Sequence, residues 1–128
     1  IVGYDLSDSL ELTGCVRALQ KALKQSGKRS PQIHHSDRGV QYCSNMYTDL
    51  LLKNDIEISM TEENHCYENA VAEWVNGILK YEFFLDQTFF SSKVAFETTK
   101  NVIKLYNSKR LHLSLDFKTP ENVYKSIA

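Results

Sequence analysis

Apolar residues recur at helical spacing along some stretches of the chain and alternate with polar ones along others. Leu12, Val16, Leu19 and Leu23 stand at i, i+4, i+7 and i+11, one apolar stripe of a helix whose wet side carries Lys21 and Lys24, with Gly27 placed to stop it. Before that helix, residues 1–6 alternate weakly and are rich in β-formers, which predicts a strand. After Pro31, residues 32–36 read as extended and run into Asp37-Arg38-Gly39, where glycine permits a sharp turn. Asp37 is therefore expected at a strand's end. Ser44 is suited to cap a short helix to about Lys53, with Met46, Leu50 and Leu51 inward and Asn54-Asp55 closing it. Residues 56–60 alternate as another strand, and the polar stretch 61–68 has no periodicity and reads as a loop. A helix is predicted over about 69–84. A second follows over about 92–107, with Ala95, Thr99, Val102, Ile103 and Tyr106 inward, and Thr119-Pro120 marks the start of a short terminal helix. Strands alternating with helices imply an α/β fold, a mixed sheet flanked by helices.

Bulk properties narrow this picture. With 128 residues, 42% hydrophobic and 24% charged, the chain has the size of one globular domain that buries its own core. No apolar run approaches the roughly 18 to 20 residues of a membrane span, and the first residues lack the order of a signal peptide, so a cytoplasmic location without membrane contact is expected. The three cysteines, Cys15, Cys43 and Cys66, form no CxxC pair and read as reduced thiols. Charge is unevenly spread: residues 1–92 carry 8 basic and 13 acidic side chains, net −5, and residues 93–128 carry 7 and 3, net +4. The earlier part gathers carboxylates that could hold cations, and the later part could approach phosphates. The chain opens abruptly on an apolar stretch without a cap or turn, which gives the expectation that material lies upstream.

Two carboxylates carry the candidate chemistry. A 3.6-residue period puts Asn69, Asn76 and Lys80 near the face of Glu73, while Val71, Val75, Ile78 and Leu79 point elsewhere, so Glu73 sits on a polar stripe. Asp37 and Glu73 have 35 residues between them, enough for a helix, a strand and a loop. The segment His35-Ser36-Asp37-Arg38-Gly39-Val40-Gln41-Tyr42 resembles the second-aspartate motif of the integrase-core (DDE-type) transposases of bacterial insertion sequences, relatives of the retroviral integrase catalytic core. Ser59-Met60, then Cys66-Tyr67-Glu68-Asn69-Ala70 with Glu73 and Leu79-Lys80-Tyr81-Glu82, resembles their third-carboxylate motif, including the 35-residue gap. Tyr106-Asn107, Arg110, His112, Leu115 and Thr119-Pro120 resemble the family's closing signature. This sequence departs at Glu68, where the family has Asp, and at Glu62-Glu63-Asn64-His65, where it has glycine and basic residues.

The resemblance implies a ribonuclease H-like α/β fold over residues 1–128, a catalytic core incomplete at its N-terminus because the first two strands are missing. It implies a metal-dependent enzyme that cleaves DNA and then transfers the freed strand. Asp37 and Glu73 are the implied catalytic and metal-holding residues, with Mg²⁺ or Mn²⁺ in a two-ion site. Two divalent ions about 4 Å apart activate a nucleophile, stabilise the leaving oxygen and neutralise charge. Such hard ions prefer the oxygen ligands that Asp and Glu supply. The family's first catalytic Asp lies on a strand before the one that residues 1–6 resemble, so nothing here matches it and this stretch alone is expected to be inactive. Asp5, within residues 1–6, and Asp8, just after them, could be mistaken for that first Asp, but both come after the strand that carries it in the family. The implied partners are DNA, both element ends and target, contacted by Lys80 and Arg110, and further copies of the chain.

Plainer readings stand beside these. An Asp before a Gly at a strand end is ordinarily a turn residue, and a Glu on a polar helix face is ordinarily a solvated charge. Lys80 divides evenly between a phosphate contact and a surface lysine. Tyr106, Asn107, Arg110 and His112 fit a structural role around the turn after the helix better than DNA contact. The set His34, His35, Cys43, His65 and Cys66 matches no common zinc spacing. The rival functions are a non-catalytic remnant that keeps only DNA or subunit contacts, and a metal-activated nuclease.

Overall fold

The computed structural model describes residues 1–26, 33–62 and 66–126. Gly27, Pro31, Gln32 and Glu63-Asn64-His65 lie outside the described residues. The chain divides into two compact units, Val2–Glu73 and Trp74–Ala128, the second including Ile1.

In the first unit α1 (Leu12–Ser26) buries Val16 and Leu19, and Leu12 and Leu23 pack half-buried beside them, the stripe its sequence predicts. It packs on α2 (Asn45–Leu52), which in turn packs on β2 (Glu57–Met60). The core they close is Val16, Leu19, Tyr47, Leu51 and Ile56, with Leu51 and Ile56 each 1% exposed. The limits of α2 follow from its ends. The Ser44 side chain accepts a hydrogen bond from the Tyr47 N–H. At the other end Asp55 takes a left-handed conformation, φ 55°, and the Ile56 N–H reaches back to the Leu51 carbonyl at 3.1 Å. One inward residue differs from expectation: Met46 is exposed and Tyr47 is buried. Tyr47 and Leu51 are four apart and share the core-facing line, and Met46 falls one residue off it.

Among the described residues the sheet has two strands. β1 (Ile33–Ser36) and β2 pair in parallel, with Ile33 opposite Glu57 and Ser36 opposite Met60, so α2 is the crossover between them. Among the described residues the expected mixed sheet is not formed, because residues 1–6 make no strand. A strand is stabilised by a neighbour's ladder, and among the described residues this segment has none. It lies against α1 instead: a Cβ on Gly3 would stand 2.4 Å from the Ala18 carbonyl oxygen, closer than atoms pack. Asp5 is tied to Arg17 and Lys21, each at 2.6 Å, and Arg17 above all holds its carboxyl below the ordinary range.

A 3₁₀ turn at Cys66–Asn69 leads into α3 (Ala70–Gly77). The single helix expected over 69–84 is interrupted there. After Gly77, a poor helix former, the coil widens into a π-helical turn, Ile78–Glu82, in which the Phe83 N–H bonds to the Ile78 carbonyl. In the second unit α4 (Ser92–Ser108) starts at a Ser91 cap and buries Ala95, Val102, Ile103 and Tyr106, with Thr99 half-buried. It packs on α5 (Pro120–Ser126). Between them the chain makes a tight reversal with Asp116 and Phe117 both left-handed, and His112 pairs with Lys118. Thr119 accepts from the Asn122 N–H, and Pro120 opens α5.

Candidate active site and nucleic-acid interface

Asp37 follows the last residue of β1 and is exposed. Its Oδ1 accepts the Gly39 N–H at 2.9 Å, so one carboxylate oxygen closes a local turn. Gly39 does not need positive φ here. A Cβ at this position would lie 2.9 Å from that same Oδ1, so a larger residue would push the Asp37 carboxylate out of this turn. The strand ends on either side are pinned: the Thr61 N–H bonds to the Ser36 carbonyl at 3.0 Å, and Arg38 Nε donates to the Thr61 carbonyl at 2.7 Å. One step back, His35 Nδ1 lies 2.9 Å from the Ser59 hydroxyl across the β1–β2 pair. Below the sheet His34 Nε2 lies 3.1 Å from the Tyr47 hydroxyl. Burial pulls the His34 pKa down and pushes that of Tyr47 up to about 12.

Glu73 stands in the first turn of α3 and is exposed, as the polar stripe predicts. Asp37 and Glu73 belong to the same compact unit. Glu68, the departure from the family pattern, accepts the Glu62 N–H at 3.0 Å and so closes the loop before α3. By donor type, two exposed carboxylates fit a hard divalent ion. By number they do not complete a site: among the described residues no group of three or more His, Cys, Asp or Glu side chains is arranged to hold a metal.

Lys80 is exposed on the π-helical turn of the second unit. Arg110 is differently placed. Its Nε and NH2 donate to the two carboxylate oxygens of Glu82 at 2.8 and 2.7 Å. Arg110 holds the Glu82 carboxyl below its usual range. Its guanidinium stands 5.6 Å from the centre of the Trp74 ring. Beneath it His112, 3% exposed, meets Trp74 and Tyr106 edge-on. Burial, then the Arg110 charge, lowers the His112 pKa. Asn107 donates from Nδ2 to the Ile1 carbonyl at 2.7 Å. Sequence spacing does not reveal the Glu82–Arg110 pair, since its members are 28 residues apart. The only available sign is that both fall within motifs of the same resemblance.

Two family models describing the integrase core domain match the chain, one over residues 1–66 and the other over 54–120. The chain belongs to the integrase core family, as found in the transposases of insertion sequences. It is 32% identical over 126 residues to the transposase for insertion sequence element IS629 of Shigella sonnei, covering 98% of this chain and 42% of that protein. It is also 32% identical over 132 residues to the transposase for insertion sequence element IS904 of Lactococcus lactis, covering 98% of this chain and 50% of the relative. The chain thus spans about half or less of the relatives it matches. No helix among the described residues is long and apolar enough to cross a membrane.

Proposed function

We infer that this chain is part of the catalytic core of a DNA transposase, an enzyme that cleaves phosphodiesters at an element's ends and joins them to target DNA. The observation that carries this reading is that Asp37, exposed at the end of β1, and Glu73, exposed in the first turn of α3, fall in one unit of a chain matched by integrase core models over both halves. Asp37 and Glu73 would hold Mg²⁺ or Mn²⁺, Asp37 through the oxygen that Gly39 leaves free. When bound, such ions neutralise charge and activate the attacking oxygen. Asp37 is held by the turn to Gly39 and by its pinned strand, so its carboxylate is set in place before a ligand arrives. Lys80 would contact a DNA phosphate as a point charge on an exposed turn.

The overall arrangement proposed is ribonuclease H-like, with the family's first two strands and first aspartate not among these 128 residues. Two carboxylates without the third hold an ion pair poorly, so the chain alone is expected not to cleave DNA. The test is a Mg²⁺-dependent cleavage and strand-transfer assay with the chain alone and with a transposase that also carries the upstream strands. Activity only in the longer protein, reduced to background by Asp37→Asn and by Glu73→Gln, is the expected result. Efficient nicking by the 128-residue chain that Asp37→Asn abolishes would show the first carboxylate to be misplaced. A longer protein that binds DNA without cutting it would favour a non-catalytic remnant.

A further inference from the structure

Arg110 bears the richest donor array in the second unit, and those donors are already engaged. Its fork meets the Glu82 carboxylate at two points, at 2.7 and 2.8 Å. Its NH1 lies 3.2 Å from the His112 ring, its face covers Trp74, and its side chain is only 19% exposed. A phosphate contact needs guanidinium N–H groups free toward solvent, and here they are turned onto protein. Glu82, by contrast, ends the π-helical turn whose middle residue is the exposed Lys80. The Arg110–Glu82 fork therefore fixes the end of that turn to the segment after α4.

Resting on the DNA reading above, the geometry points to Arg110 as a positioning residue: it clamps Glu82, sets the turn that presents Lys80 to a DNA phosphate, and does not itself touch the DNA. Direct contact and positioning give opposite signs for one conservative change. If Arg110 read phosphates, Glu82→Gln would release the guanidinium and remove a negative charge, and DNA would bind more tightly. If Arg110 positions the turn, the same change loosens it and DNA binds more weakly.

The experiment measures the affinity of the full chain for a mixed-sequence DNA duplex across a salt series. Lys80→Ala should weaken binding roughly tenfold at low salt and lower the log–log salt slope by about one. Arg110→Ala and Glu82→Gln should weaken it comparably, with the same loss of slope. Lys80→Ala should cost little more in the Arg110→Ala background, because the contact is already lost. The exchanged pair Glu82→Arg with Arg110→Glu should recover part of the affinity, which also guards against a variant that merely misfolds. Tighter binding by Glu82→Gln, or full additivity of the Lys80 and Arg110 losses, would overturn the positioning role alone. A wild-type chain with no salt-dependent DNA binding would overturn the DNA reading itself, and Lys80's part with it.

Discussion

His34 sits half-buried between Tyr42 and Tyr47, with ring centres 6.5 and 5.5 Å away, and its Nε2 lies within hydrogen-bond distance of the Tyr47 hydroxyl. Its Nδ1 is buried with no hydrogen-bond partner. A charged imidazolium would lose hydration there without gaining an anion, and burial accordingly depresses its pKa, as it does that of His112. The sign follows from proton linkage. Folded pKa values below the unfolded value of about 6.5 mean that the unfolded chain binds more protons in the window between them. Stability from these groups is fully present above about pH 6.5 and is lost as pH falls toward the folded pKa values. The melting temperature should therefore decline as pH is lowered below about 6.5, and His34→Phe should flatten that decline. An unchanged pH slope in the variant would show that His34 is not a source of it.

At the scale of elements, the stability of the first unit rests on α2 as the bridge between α1 and the sheet. Leu51, 1% exposed, sits in that bridge, so Leu51→Ala should cost about 2–5 kcal/mol. Chemical denaturation checks this, and a loss below about 1 kcal/mol would place the core elsewhere. The elements legible in the sequence share one property: their signals are local. Leu12 through Leu23, the Ser44 cap, the α4 stripe and Thr119-Pro120 each encode a helix within a few residues of itself. What was not legible depends on distant partners. Residues 1–6 have the composition of a strand, but a strand is made by its neighbour, and here Gly3 packs against Ala18 instead. Within the candidate site, the positions of Asp37 at a strand end and Glu73 on a helix were readable from pattern. The clamp on Arg110 was not, because Glu82 and Trp74 reach it only through the fold.

For the whole molecule, the division into units separates charge. Side chains of Val2–Glu73 include 7 basic and 11 acidic residues, net −4, and those of Trp74–Ala128 include 8 and 5, net +3. The proposed cation-holding carboxylates thus lie in the acidic unit, and the proposed phosphate contact in the basic one. The sheet is small for its burden. A two-stranded sheet is marginal by itself, and among the described residues β1 pairs with β2 alone. Unpaired strand edges recruit other strands, so the isolated chain is expected to associate with further copies of itself. Light scattering across a concentration series should show dimers or larger species, and a monomer at every concentration would contradict that expectation. The proposed function depends above all on Asp37 and Glu73 serving one cation site. Anomalous diffraction from crystals of the chain soaked in Mn²⁺ tests it most directly. A manganese peak with oxygens of both carboxylates within about 2.5 Å is expected, whereas manganese bound by neither, or the two side chains on opposite faces of their unit, would rule out a shared site.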